Sequence, residues 1–251
     1  MLTSFFQRPY LVVCPFTQST FAPYCTGDHD VARISHIRKE EDDAFARTTG
    51  SYLTWWNLPT SALSSEKKEG SEKSPLLMLS TLFFGWPPPK GGWESCLHRI
   101  AARVPLSFKY ASLREGSRLD KNYAFLEAGI SYLNSMFPHA TLVAPLGIGS
   151  HPDHITTSWA CRSVRHRFHR VYFYEDLPYA SECGSGGIVR FVRSFDRHLR
   201  PVGIEVSAVM EEKVRNLLLY STQVSSHEVL LVRGHAKRVG HGASFERLWT
   251  Y

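Results

Sequence analysis

The chain has 251 residues, 43% hydrophobic and 13% aromatic, enough to bury one sizeable core and more in keeping with one domain than two. A net charge of +6 leaves room for an anionic ligand. The basic residues are interspersed with acids and no DNA- or RNA-binding module signature is present, which argues against nucleic acid as a partner.

The five cysteines are odd in number and lack a Cys-x-x-Cys pair, which argues against a disulfide framework or a thiolate zinc site and points to a reducing cytoplasm. No signal-peptide pattern and no run of about 18 apolar residues occurs, so no membrane span is expected. In chain order, Tyr10–Phe16 reads as a buried strand between two prolines. After a loop, Asp28-His29-Asp30 precedes a helical pattern over 31–48, with Ile34, Ile37, Glu41, Ala44 and Phe45 at three- and four-residue steps. Asp28-His29-Asp30 is read as a helix cap rather than a metal ligand set. Arg38 and Glu41 stand one turn apart, within reach of pairing with each other. Gly50 ends the helix.

Tyr52–Leu58 is a second strand candidate, followed by a polar loop from Pro59 to Lys73 and a strongly apolar run, Ser74–Gly85. Helical patterns cover 94–104 and 119–137. Thr141–Ala144 is a strand leading into Pro145-Leu-Gly-Ile-Gly-Ser-His-Pro-Asp-His154, after which a helix is expected over 152–168. Its basic end, Arg162 to Arg170, reads as a solvated helix terminus. Val171–Glu175 is a further strand, and Ser181–Gly187 a glycine-rich loop. The remainder reads as a helix over 207–220, a short strand over Glu228–Val232 and a terminal segment Phe245–Trp249.

The stretch around residues 144–154 carries the chemistry. A strand ending in a glycine turn, with His151 and His154 three apart and Asp153 between them at a helix start, is where α/β folds gather ligands. Imidazole ligates metals and titrates near neutrality. The spacing alone also allows a plainer account, in which His151 caps the helix and His154 is solvated. Glu175-Asp176 follows the next strand on the same sheet edge, where an acid is able to orient a ligating histidine or to cap a turn.

Leu142-Val-Ala-Pro-Leu-Gly-Ile-Gly-Ser-His-Pro-Asp-His154, Val171-Tyr-Phe-Tyr-Glu-Asp-Leu-Pro-Tyr-Ala180, Ile37-Arg-Lys-Glu-Glu-Asp-Asp-Ala-Phe-Ala46, Glu212–Gln223 and Phe245–Trp249 together resemble the PIG-L/LmbE family of zinc-dependent N-deacetylases. The resemblance implies an α/β, Rossmann-like three-layer sandwich with a mostly parallel sheet, residues 1–251 forming one such domain. It implies hydrolysis of the acetyl group from an N-acetylated amino sugar or glycoconjugate, with homo-oligomers possible. His154 would be a Zn2+ ligand, His151 would stabilise the oxyanion, Asp153 would assist them, and Arg38, Glu175 and Asp176 would meet the substrate. The family's Pro-His-x-Asp-Asp segment has no counterpart; Cys14-Pro-Phe-Thr-Gln-Ser19 has Phe16 in the histidine's place. The expectation is therefore that the chain starts after that motif and lacks the first strand, unless Leu2–Phe6 or Leu76–Leu82 fills its place. A catalytically inactive relative that binds carbohydrate or protein is the alternative.

Overall fold

The computed structural model describes residues 10–60, 63, 121–149 and 151–251. Most of the loop after Pro59, the run Ser74–Gly85, the helical pattern over 94–104 and both candidate fillers of a first strand lie outside the described residues.

Strand β1 (Leu11–Gln18) leads through a loop to helix α1 (Val31–Thr49) and strand β2 (Tyr52–Pro59), which pairs parallel with β1. Helix α1 has clear boundaries. The Asp30 carboxylate accepts from the Arg33 backbone N–H at 2.9 Å, so Asp30 is a helix cap as expected. Gly50 closes the helix with φ 65°, a left-handed conformation that favours glycine. The Arg38–Glu41 pair that the spacing allows is replaced by a different arrangement: Glu41 is buried and accepts from the Thr222 backbone N–H at 2.8 Å and the Thr222 hydroxyl at 2.9 Å. A buried carboxylate with a backbone N–H and a hydroxyl donor held in place outcompetes a solvated intrahelical pair.

Helix α2 (Lys121–Met136), strand β3 (Thr141–Pro145), helix α3 (Pro152–Ser163) and strand β4 (Arg170–Tyr174) follow, with β3 and β4 parallel. Helix α3 ends earlier than expected, giving way to a 3-10 turn at Arg165–Arg167. The span expected as a glycine-rich loop instead holds a short helix α4 (Tyr179–Glu182) and the start of helix α5 (Ser185–Phe195). Ile188, Phe191, Val192 and Phe195 of α5 are all buried, at the spacing of a single helical face. Burying each of these side chains contributes about 1.5–3 kcal/mol, which overrides two glycines in the first turn.

Strand β5 (Arg200–Glu205) was not anticipated. It precedes a 3-10 turn at Ser207–Val209 and helix α6 (Met210–Leu217), shorter than the helix expected over 207–220. Residues 228–232, expected as a strand, lie in helix α7 (Ser226–Val239). Ser225 and Glu228 form a capping box at its start, which satisfies backbone donors that only a helix leaves open. Strand β6 (Phe245–Thr250) completes the order.

Among the described residues the strands form a two-stranded sheet, β1-β2, and a four-stranded sheet, β3-β4-β6-β5. The pairs β1-β2 and β3-β4 are parallel, whereas β4-β6 and β6-β5 are antiparallel. The sheet is thus mixed, where a mostly parallel one was expected, because β6 returns antiparallel between β4 and β5. Alternation along the strands feeds two cores. Phe173 and Trp249 join one cluster with Trp159, Ile188 and Phe195 of α3 and α5; Tyr172 and Leu248 join another with Met210, Val214 and Ala236 of α6 and α7. Helices therefore cover both faces of the four-stranded sheet. No helix among the described residues is long and apolar enough to cross a membrane.

Candidate active site

The site is built at the carboxyl ends of β3 and β4. After β3 the chain runs through Leu146, Gly147, Ile148 and Gly149; Leu146 and Ile148 are buried to 0% exposure, which pins the loop to the core. Gly147 and Gly149 have φ values of 88° and 90°, open to glycine at little cost. Gly149 is also needed for space: a Cβ there would lie 2.5 Å from the Tyr179 ring.

The loop ends on His151, the N-cap residue of α3, which makes no side-chain capping bond. The capping account of His151 therefore does not hold. Its ring lies 5.1 Å, centroid to centroid, from that of His154 one turn along the helix. Asp153 is buried, with its carboxylate 3.9 Å from His151 Nδ1, beyond hydrogen-bond range. His151 Nδ1 is itself buried and has no hydrogen-bond partner among the described residues.

Asp176 organises the other histidine. Its side chain is fully buried and one oxygen lies 2.7 Å from His154 Nδ1. The other accepts from the backbone N–H groups of Gly147, at 2.7 Å, and Ile148, at 2.9 Å. One carboxylate thus fixes both the glycine loop and the imidazole. Because Asp176 only accepts, His154 Nδ1 carries the proton of this bond, which leaves Nε2 as the ring's other nitrogen on a side chain 37% exposed. Asp176 takes up these two backbone donors, so the Gly147 and Ile148 N–H groups are not free to form an oxyanion hole. Tyr179 packs edge-on to His154 at 6.2 Å.

The two imidazoles differ electrostatically. Burial, reinforced by the nearby charges of His154 and Arg38, lowers His151 to about 4. Burial acts in the same direction on His154, but the hydrogen bond and charge of Asp176, aided by Asp153, outweigh it and raise that pKa. Arg38, half-buried on α1, lies close enough to act on both rings.

Glu175 is placed elsewhere. It faces away from the two histidines and accepts from His235 Nε2 and Trp249 Nε1, each at 2.9 Å, and from Arg247 Nε. Of the pair Glu175-Asp176, which follows β4, Asp176 is the one that meets His154. Tyr179 and the backbone of Gly147 and Ile148 were missed in the sequence reading; the short spacing from Asp176 to Tyr179 was the available signal.

His154 backed by Asp176 has the arrangement that metal-bound imidazoles commonly show. A catalytic zinc nonetheless takes three protein ligands, and no group of three His, Cys, Asp or Glu side chains suited to a metal occurs among the described residues. The described residues therefore do not by themselves fit a catalytic zinc. An apolar groove of about 530 Å³, lined by Leu11, Trp56, Phe125, Tyr132 and neighbours on β1, β2 and α2, includes none of the candidate site residues.

No family model matches the chain. The 2'-N-acetylparomamine deacetylase of Streptomyces fradiae is 30% identical over 129 residues, 44% of this chain and 46% of that protein, so the chain spans about half the length of the curated relative it matches. Among solved structures, the A40926 pseudoaglycone deacetylase superimposes with a TM-score of 0.57 at 16% identity, covering 96% of this chain and 84% of its own. A deacetylase–teicoplanin complex gives 0.58 at 18% identity, with coverage of 96% and 86%. A zinc-inhibited form of teicoplanin deacetylase gives 0.55 at 18% identity, with the same coverage. At these identities the likeness to the solved structures is one of fold, and the chain has the mixed α/β architecture of those deacetylases.

Proposed function

We propose that the chain is an amide hydrolase of the PIG-L/LmbE type that removes acetyl from an N-acetylated amino sugar or glycoconjugate, residues 1–251 forming one domain. The observation that carries this reading is the His154–Asp176 pair beside a second, neutral imidazole at the sheet's ligand-bearing edge. Partial identity to a 2'-N-acetylparomamine deacetylase and the fold shared with deacetylases of glycopeptide antibiotics support the same chemistry and the same substrate class.

Hydrolysis of an amide needs a donor for the oxygen that gains charge and an acceptor for the proton of the attacking water. His154 has its Nδ1 proton committed to Asp176, and its raised pKa favours a proton on Nε2 as well, so Nε2 is the donor available to the carbonyl oxygen or the leaving amine. His151, lowered to about 4, is neutral at pH 7 and can accept. Two like groups pushed apart in pKa is the pattern expected of an acid and a base. Arg38 is the cation placed to meet a polar or anionic substrate group. The described residues supply no three-ligand set for zinc.

That same shortage favours the second reading, a catalytically inactive relative that binds a carbohydrate or protein. Acetate release from a panel of N-acetylated amino sugars and aminoglycosides, with His154→Ala beside the unmodified chain, separates the two. Release that the variant abolishes supports the hydrolase; substrate binding by calorimetry without release, in both chains, supports the binding module.

A further inference from the structure

The carboxylate of Glu175, 3% exposed, is the centre of a second hydrogen-bonded group that the proposed chemistry does not use. His235 of α7 reaches it through Nε2 at 2.9 Å. Arg238, one turn further along, places Nη2 at 3.1 Å from His235 Nδ1 and donates from the same nitrogen to the Ser181 carbonyl at 2.8 Å. A guanidinium can only donate, so Nδ1 of His235 accepts and its Nε2 carries the proton given to Glu175. The chain of contacts therefore starts at an exposed arginine, passes through a buried imidazole and ends on the residue next to Asp176.

It also returns to the same segment at its far end. Between Glu175 and Ser181 lie Asp176, which holds His154, Gly147 and Ile148, and Tyr179, which packs on Gly149 and His154. Both ends of the segment that shapes the site are tied to one helix, more than fifty residues later in the chain. Strand β4 itself is held by pairing on both sides, so the two ties act on the segment beyond it.

We propose that His235 and Arg238 are positioning residues: with Glu175 they hold residues 175–182 so that Asp176 and Tyr179 meet the glycine loop and His154. This inference deepens the hydrolase reading and rests on it for its catalytic consequence, though not for its geometry.

Hydrogen exchange of the full chain provides the test. Among the described residues Asp176 is the acceptor that holds the Gly147 and Ile148 amides, so they report its position. Arg238→Met, at the exposed end, and His235→Gln are expected to speed exchange at those two amides by about tenfold or more while the Val171 to Phe173 amides keep their protection. Val232→Ala, a buried change on the same helix outside the network, serves as a control for general loosening and is expected to leave the two amides in step with the core. If both network variants also leave them in step with the core, the proposal is overturned. In parallel, acetate release is expected to lose about ten- to a hundredfold in kcat with KM little changed. Exchange is read without substrate: a chain that releases no acetate would sink the hydrolase reading, while the amides still decide this one.

Discussion

Asp176 accepts three hydrogen bonds with a fully buried side chain, so Asp176→Asn is a test of orientation rather than of size. The amide nitrogen would either face the two backbone N–H groups, donor against donor, leaving buried groups unpaired at a cost of about 1–3 kcal/mol, or face His154 and oblige Nδ1 to accept, which moves the proton to Nε2 and disfavours the charged imidazole. The same substitution is expected to lower hydrolysis by about ten- to a hundredfold; urea melts and acetate release measure the two effects. The pH profile carries a second expectation. Because the pKa of His154 is raised, its donor form is full at low pH and lost as pH rises through that value. Because His151 is lowered to about 4, its acceptor form is lost only as pH falls through about 4. The dependence of kcat/KM on pH should therefore be bell-shaped, and Asp176→Asn should move its alkaline limb to lower pH. An alkaline limb unmoved by that substitution would remove His154 from the acid's role. Much of this was legible in the sequence, since the two histidines and the acids after β4 are a short motif. What was not legible is which of Glu175 and Asp176 turns inward, because the partners that claim Glu175 come from α7 and β6.

At the scale of elements, α7 shows where local pattern misleads. Val229-Leu-Leu-Val232 reads as a strand when taken alone, yet Ser225 and Glu228 cap each other's backbone and commit the segment to a helix. Ser225→Ala is expected to cost about 1 kcal/mol, seen as a lower melting temperature. Burial would raise the Glu228 carboxyl, but the Ser225 and Tyr24 hydrogen bonds outweigh it and hold it down to about 2. A carboxyl lowered in the folded state stabilises above its unfolded pKa and loses that contribution as pH falls through the folded one. Stability from this group should fade between about pH 4.5 and about pH 2, and Ser225→Ala should flatten that part of the curve. Helix α5 was missed for a related reason: Gly186 and Gly187 look like loop, and only the buried face of Ile188, Phe191, Val192 and Phe195 outweighs them.

For the whole molecule, the alternation of Tyr172 and Phe173, and of Leu248 and Trp249, between two cores makes the four-stranded sheet a platform covered on both sides, with the histidine site at one edge. The basic stretch at the opposite edge is more than a solvated helix end. Arg162 pairs with Asp196 at 3.2 Å and lies over the Trp159 and Phe195 rings at 4.8 and 5.1 Å. Asp196 is buried and also accepts from the His198 N–H at 3.0 Å and the Tyr251 hydroxyl at 3.2 Å, so Arg162→Ala should destabilise by about 1–2 kcal/mol, through one lost charge partner and lost packing, measurable by chemical denaturation. A change near zero would mark that pair as surface decoration. The position of β6 between β4 and β5 was beyond the sequence, because pairing between segments as distant as Tyr172 and Thr250 leaves no local periodicity.

The most direct measurement is acetate release from N-acetylated amino sugars by the purified chain, with His154→Ala alongside. The account predicts release by the unmodified chain that the variant lowers by at least about a hundredfold. Equal release from the two chains, or none from a folded chain with any substrate of the class, would contradict it.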